Sequence, residues 1–283
     1  MTNSLKSKKM STKTPKILMP HILCVGLSLL FCLPFLWMVL TSLKSLENVA
    51  SIDWWPEIFH WENYKSVFTI ENLNYGRWYL NSLFIAFTVT FVQVFTSSLA
   101  AFAFSRLKWK WRDRIFLLYL STMMVPGLIL MIPNFQMMIR LGLVDSYLGM
   151  ILPASFSAFG TFLLRQFMMG IPTALDEAAT IDGASTWQVF WNVILPLSRP
   201  GLITLCIFTF MGNYNSFFWP LVMLKSDHQF TLPIGLLFFE SSQGQQTNLL
   251  MAAITMAVVP MIVVFVTLQK HLVKGIQMGG VKG

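Results

Sequence analysis

Asp, Glu, Lys and Arg are missing from six long stretches of the 283-residue chain: 17–43, 78–105, 115–139, 146–164, 200–224 and 241–269. A helix of roughly 20 apolar residues crosses the hydrocarbon core of a bilayer. The pattern therefore predicts an all-α integral membrane protein with six transmembrane helices, the fourth run being the shortest. A further run, 183–198, carries Ser185, Gln188, Asn192 and Ser198 and predicts an interfacial segment rather than a span. The first run follows Lys6, Lys8, Lys9, Lys13 and Lys16. It is longer than the h-region of a signal peptide, about 7–15 residues, and no small-residue cleavage site closes it. An uncleaved first helix is expected.

Composition agrees with that reading. Charged residues make up 11% of the chain and apolar ones 55%, whereas a soluble domain carries about a quarter charged residues. The net charge of +8 gains meaning from where the cations fall. If six helices alternate, one side receives fifteen Lys and Arg, in the N-terminal tail, the loop 106–114, Arg165, Arg199 and the C-terminal tail. The other side receives Lys44, Lys65, Arg77, Arg140 and Lys225. The positive-inside rule then places both termini in the cytoplasm. The expected organisation is a basic tail at 1–16, a six-helix domain at 17–269 and a cytoplasmic tail at 270–283.

Candidate chemistry is sparse. Cys24, Cys32 and Cys206 lie in apolar runs, where a thiol acts as a small hydrophobe. The four histidines are scattered, so no metal site is expected. No ionisable residue falls inside a span, which argues against a proton- or sodium-coupled carrier. No phosphate-binding G-x-x-x-x-G-K-[ST] motif is present, nor a nucleophile–His arrangement. The expectation is a chain without catalysis and without a cofactor of its own, and without a nucleic-acid partner. Uncharged polarity is present instead. Asn213, Asn215 and Ser216 stand together in FMGNYNSFFWP, and Gln93 and Asn81 add amides elsewhere. Such groups either glue helices together or line a wet path for a hydroxyl-rich solute. On the other side, WWPEIFHWENY reads as an aromatic belt or a partner surface. Residues 231–239 are too apolar to stand in water, so this loop should dip into the membrane, line a cavity or dock.

One segment departs from the apolar pattern, PTALDEAATIDGAS at 172–185, within a coupling segment 172–197 between helices 4 and 5. Thr173 suits an N-cap, with Asp176 three residues on in a near-capping box. Asp176 and Glu177 suit the positive end of a helix dipole, and Ala174, Ala178 and Ala179 favour helix. Gly183 suits the stop. The prediction is a short cytoplasmic helix over 174–182, far too short to span. Asp182 at its C-terminal end reads as an Asp-Gly turn or as the partner of a cation from elsewhere. Trp187 and Trp191, four apart, should share an interfacial face.

These residues resemble the signature of ABC importer permeases: Glu177-Ala178-Ala179, Gly183, then Val193 and Leu195-Pro196 at the family's spacing. Asn81–Leu83, Asn215 with FFWPL at 217–221, and the tail KGIQMGGVKG are similar to the maltose-type second permease. The resemblance spans about 20–283. It implies a sugar importer of the bacterial inner membrane, with a second, homologous permease subunit. Two copies of a cytoplasmic ATPase, holding ATP and Mg, would receive the short helix, and an extracytoplasmic binding protein would deliver sugar. It implies that Glu177, Ala178, Ala179, Asp182 and Gly183 couple to the ATPase and that Glu177 faces a basic group there. It implies also that Gly280, Val281 and Lys282 reach toward the ATPase pair and that the loop 231–244 probes the binding protein. Against it stand a stand-alone channel, which needs no docking helix, and an intramembrane enzyme, for which no acids or nucleophile are in place.

Overall fold

The computed structural model describes residues 15–51, 53–71, 73–243 and 246–280, with the backbone alone for 15–19, 241–243 and 271–280. The described residues are helical, with no strand among them. In chain order the helices are α1 (Pro15–Ser42), α2 (Glu62–Ser66), α3 (Tyr75–Arg106), α4 (Arg112–Ser121), α5 (Gly127–Arg140), α6 (Tyr147–Ala154) and α7 (Ala158–Met169). They continue with α8 (Ala174–Ile181), α9 (Thr186–Val189), α10 (Leu195–Leu197), α11 (Arg199–Tyr214), α12 (Phe218–Met223), α13 (Leu232–Gln243) and α14 (Thr247–Gly280).

Three helices are long and apolar enough to cross a membrane unaided: Pro20–Ser42, Tyr75–Arg106 and Thr247–Lys270. The runs read as the third and fourth spans are broken. Arg112–Met124 meets Gly127–Arg140 at 98°, and Tyr147–Ala154 meets Ala158–Met169 at 44°. Pro126 sits at the first break, where a residue without an N–H cannot continue the ladder. The fifth run holds one helix, α11, which ends at Tyr214, and a separate one, α12. The segment Thr186–Leu197, read as interfacial, is helical and meets α11 at 75°. The count by length and composition is three, or six if each bent pair makes one span. The sixth run begins later than its charge-free stretch, at Thr247, because 232–243 forms α13; its helix continues unbroken to Gly280. Val281 and Lys282 lie outside the described residues.

Helix α3 is the spine, with α7 and α11 packed along it, α14 packed on α11 and α1 packed on α14. Gly160 of α7 lets the three inner helices converge: a Cβ there would fall 2.6 Å from Ser97 Oγ and 3.2 Å from Leu205. Small residues at such crossings let backbones approach where apolar burial gives no net drive. Two clusters fill the bundle. One, at the Tyr75 end of α3, contains Trp78, Met138, Phe210, Tyr214 and Phe239. The other, at the Arg106 end, contains Phe102, Leu164, Met168, Phe190 and Leu205.

The apolar loop after residue 230 docks on the protein. Leu232, Ile234 and Phe239 are buried, and Asn81 fixes the entry by donating to the carbonyls of His228 and Phe230, both at 2.9 Å. The Ser82 hydroxyl accepts from the Leu232 amide at 2.7 Å. Asn81 is thus a clamp, and its own carbonyl accepts from the Tyr147 hydroxyl at 2.7 Å. The aromatic loop is tied down by Asn63, which donates to the carbonyls of Ser42 and Lys44 at 2.8 and 2.9 Å. Trp54, Trp55 and Trp61 remain exposed.

Asp145 joins two further loops. It adopts φ 58°, and its carboxylate accepts from the amides of Lys225 and Ser226 at 2.8 and 3.0 Å and from the Ser226 hydroxyl. Partial burial pushes this carboxyl up. The bonds from Ser226 and Lys225, with His228 nearby, outweigh that and hold it below the ordinary value. A depressed carboxylate contributes stability above its unfolded pKa, and that contribution fades as pH falls through the lower folded value. Detergent melting curves from about pH 5 down to about pH 3 should therefore fall faster for the natural chain than for Asp145→Asn. At neutral pH the variant should be the less stable by roughly 1 kcal/mol, after allowing for solvent screening.

Candidate functional site

The helix α8 is displayed at the Arg106 end of the bundle. Glu177, Ala178 and Asp182 are exposed, and Ile181 at its tip is 85% exposed. Ala179 faces inward against the cluster of Phe190 and Met168. The C-terminus closes as a Schellman motif. The Gly183 amide donates to the Thr180 carbonyl at 3.0 Å and the Ala184 amide to the Ala179 carbonyl at 2.9 Å, with Gly183 at φ 86°. Asp182 is the C-cap residue of this turn. It makes no ion pair among the described residues and stands exposed beside the turn at Gly183.

The N-terminus differs from expectation. Thr173 is itself in helical conformation and makes no side-chain cap bond. With a helical backbone its hydroxyl cannot reach back over the first turn, so the near-capping box with Asp176 does not form. The reciprocal box appears one element later, in α9. There Ser185 Oγ accepts from the Gln188 amide and Gln188 Oε1 accepts from the Ser185 amide at 2.7 Å. Asp176 has a different partner, Arg106 at the C-terminus of α3, with 3.2 Å between Nη1 and Oδ2. The other terminal nitrogen of Arg106 donates to the carbonyls of Met168 at 2.6 Å and Ile171 at 2.8 Å. Those carbonyls close the end of α7, where helices leave acceptors unpaired. Burial pushes the Asp176 carboxyl up, against the pull of Arg106 and with that of neighbouring Glu177. Arg165 makes a second tie, donating to the Phe104 carbonyl at 3.0 Å and to Asp113 at 3.1 Å while lying 4.1 Å over the Phe116 ring. Trp187 and Trp191 are exposed together, edge to face at 5.7 Å.

Further along the bundle, two adjoining cavities of about 240 and 350 Å³ open between α5, α6 and the α11–α12 break. Ser82, Asn134, Asn213, Ser216, Thr231 and Trp219 contribute to the smaller one. Asn134, Ser216 and Trp219 line both. Two amides, three hydroxyls and an indole face this space, and no charged side chain lines it. The break at Asn215–Phe217 turns the chain so that Ser216 points here. Of the five polar residues singled out from sequence, Asn213 and Ser216 are in the lining. Asn213 also donates to the Thr209 carbonyl of its own helix at 2.8 Å. Asn215 is turned away, 3.0 Å from the Met261 sulfur. Gln93 donates to the Thr209 hydroxyl at 3.1 Å and works as helix glue.

Ser82, Thr231 and Asn134 of the cavity lining, and Arg106 at α8, escaped the sequence reading. Asn134 is an amide inside a charge-free run, the same signal that flagged Asn213. Arg106 was counted only as one of the loop cations; its place as the last residue of a span was the available signal. Gly280 closes α14, far along the chain from these groups.

A bundle of broken and whole membrane-length helices, with uncharged cavities that mix amides and hydroxyls with apolar side chains and a short helix displayed at one end, is the architecture expected of a membrane transport component. Comparison with known proteins makes this specific. Residues 93–278 match the family described as binding-protein-dependent transport system inner membrane component, and the chain belongs to that family. It is 34% identical, over 97% of its length and all of the relative's, to the arabinooligosaccharides transport system permease protein AraQ of Halalkalibacterium halodurans. It is 35% identical, over 91% of its length and 94% of the relative's, to a probable starch degradation products transport system permease protein, AmyC of Thermoanaerobacterium thermosulfurigenes. The fold is similar to that of a chain in the crystal structure of a bacterial ABC transporter involved in the import of the acidic polysaccharide alginate. The TM-score is 0.80, with 23% identity, over 93% of this chain and 99% of that one.

Proposed function

We propose that this chain is the permease subunit of an ABC importer that moves a neutral sugar or oligosaccharide into the cytoplasm, driven by ATP hydrolysis on a separate subunit. The observation that carries this is α8 itself, a short helix held on the bundle by a partly buried ion pair while Glu177, Ala178 and Ile181 point outward. Ile181, 85% exposed at the tip of a helix that also presents Glu177 and Asp182, is the apolar contact a docked ATPase would cover. In this reading Glu177, Ala178, Ala179, Asp182 and Gly183 form the ATPase-coupling element. Two ATPase copies carry ATP and Mg, and Gly280, Val281 and Lys282 extend toward them.

The three long helices and three bent pairs make six spans, with both termini in the cytoplasm as the Lys and Arg distribution requires. A second, homologous permease subunit covers the bare faces of α1, whose apolar window is 0% buried. A binding protein delivers solute on the opposite side. The uncharged lining of the cavities suits a neutral, hydroxyl-rich solute, and Asn213, Ser216 and Asn134 are the residues assigned to its path. The names of AraQ and AmyC point to oligosaccharides. Because only interactions that differ between two states can shift them, the ATPase must grip α8 differently with and without nucleotide.

The test is a gentle detergent pull-down of the tagged chain from its native membranes. An ATPase, a second permease and a binding protein should accompany it. In cells, Ser216→Trp, which fills the polar space, should stop uptake of labelled arabinotriose or maltotriose while the complex still assembles. Recovery of the chain alone, with uptake through it in liposomes, would sink the importer reading in favour of a channel.

A further inference from the structure

Arg106 occupies a position that neither orientation nor solubility explains. Its side chain is 5% exposed and that of Asp176 21% exposed, with 3.2 Å between them. Three elements meet on this one guanidinium: α3 supplies it, the carbonyls of Met168 in α7 and Ile171 just beyond it accept two of its N–H groups, and the Asp176 carboxylate of α8 pairs with it as an ion pair. A planar fork can serve three acceptors at once, which a lysine ammonium on a flexible stem does not reproduce. Such a pair adds little net stability, since desolvation offsets its attraction. This pair is also incompletely satisfied: Arg106 Nε and Asp176 Oδ1 are buried with no hydrogen-bond partner among the described residues. Bonding capacity left idle at a three-way junction suits an element with a second arrangement, in which those atoms are used.

Resting on the coupling role of α8, we propose that Arg106 is a positioning residue that transmits movement of α8 to the spine helix α3 and the end of α7. Helix α3 runs without interruption from Arg106 to the cavity-lining Ser82 and Ile85. A displacement of α8 pulls, through one partly buried ion pair, on the helix that forms one wall of the cavity. The Schellman turn and the packing of Ala179 hold the shape of α8, whereas Arg106 supplies its purchase on the bundle.

The experiment uses the assembled transporter in nanodiscs, with Cys24, Cys32 and Cys206 replaced by Ala and a single thiol from Ser216→Cys in the cavity. The probe is the alkylation rate by N-ethylmaleimide, with and without trapping by MgATP and vanadate. Trapping should change the rate by about fivefold or more in the parent, the lower end of ordinary coupling. In Arg106→Lys and in the isosteric Asp176→Asn the change should shrink to nearly nothing, while assembly and vanadate-sensitive ATP hydrolysis persist. A purely structural role would not separate hydrolysis from the cavity response. An undiminished response in both variants overturns the proposal, and so does loss of the ATPase from the complex in Asp176→Asn. Ala178→Trp, on the exposed face, distinguishes the two levels of failure. If it abolishes the response while Arg106→Lys does not, the positioning role alone falls. If Ala178→Trp leaves both ATPase binding and the response intact, the coupling reading falls and takes this proposal with it.

Discussion

A Gly183→Val chain will reach the membrane and fold, yet will take up solute at about a tenth of the natural rate or less. Gly183 holds φ 86°, and a Cβ there would meet nothing within 4 Å. The penalty is therefore one of backbone conformation alone. A left-handed residue with a Cβ costs about 1–2 kcal/mol, and a β-branched one sits at the upper end. The Schellman bonds from Gly183 and Ala184 depend on that conformation. Losing them frees the end of an eight-residue helix, which is too short to persist on propensity alone. Helix α8 would then leave its place between Arg106 and the Phe190 cluster. A shift of about 1.4 kcal/mol is tenfold in an equilibrium, so uptake of labelled maltotriose or arabinotriose in cells should fall by about that factor or more at unchanged protein level. Gly183→Asn should recover much of it, because Asn tolerates the left-handed region. Full uptake by the Val variant would show that the stop of α8 does not matter to function.

The second large effect lies at the opposite end of the spine. A Cβ added at Gly235 would fall 2.1 Å from Cε3 and 2.3 Å from Cδ2 of Trp78. The indole is fully buried, and its Nε1 donates to the Asp227 carbonyl at 3.0 Å. It cannot move aside without breaking that bond and the packing of α13. Overpacking of this kind costs about 1–3 kcal/mol even for a methyl group. Gly235→Ala should lower the detergent melting temperature, and Gly235→Leu should leave little folded protein. Because the two residues touch, the effects should not add. Gly235→Ala combined with Trp78→Phe should lose less than the sum of the single changes. Additivity would show that α13 sits elsewhere.

Much of this protein can be read without coordinates. The charge-free runs located α1, α3 and the body of α14, since a bilayer demands length and the absence of charge and little else. The stop at Gly183 was legible because a left-handed C′ position selects Gly for local steric reasons. Asn213 and Ser216 were visible as polarity where polarity is costly. Local chemistry misled at the start of the same helix. Thr173 and Asp176 have the residue types of a cap, but Arg106 is a stronger partner for a half-buried carboxylate than a backbone amide.

Tertiary structure decided what depends on distant pairs. The bends in the third, fourth and fifth runs were hidden because lipid and protein interior are equally apolar, so no periodicity separates a helix face from a broken span. For the same reason nothing in the pattern around Asn215 showed that it points toward Met261 while Asn213 and Ser216 face the cavity. Asn134 entered the lining because the bend near Pro126 sets the direction of α5. The junction of Arg106 with Asp176 joins residues 70 positions apart, and Asp145 meets Ser226 across 81. The sequence by itself determined that this chain lives in a membrane and displays a short acidic helix. Packing alone decided which buried charge holds that helix and which polar groups share a cavity, because both are settled by long-range geometry.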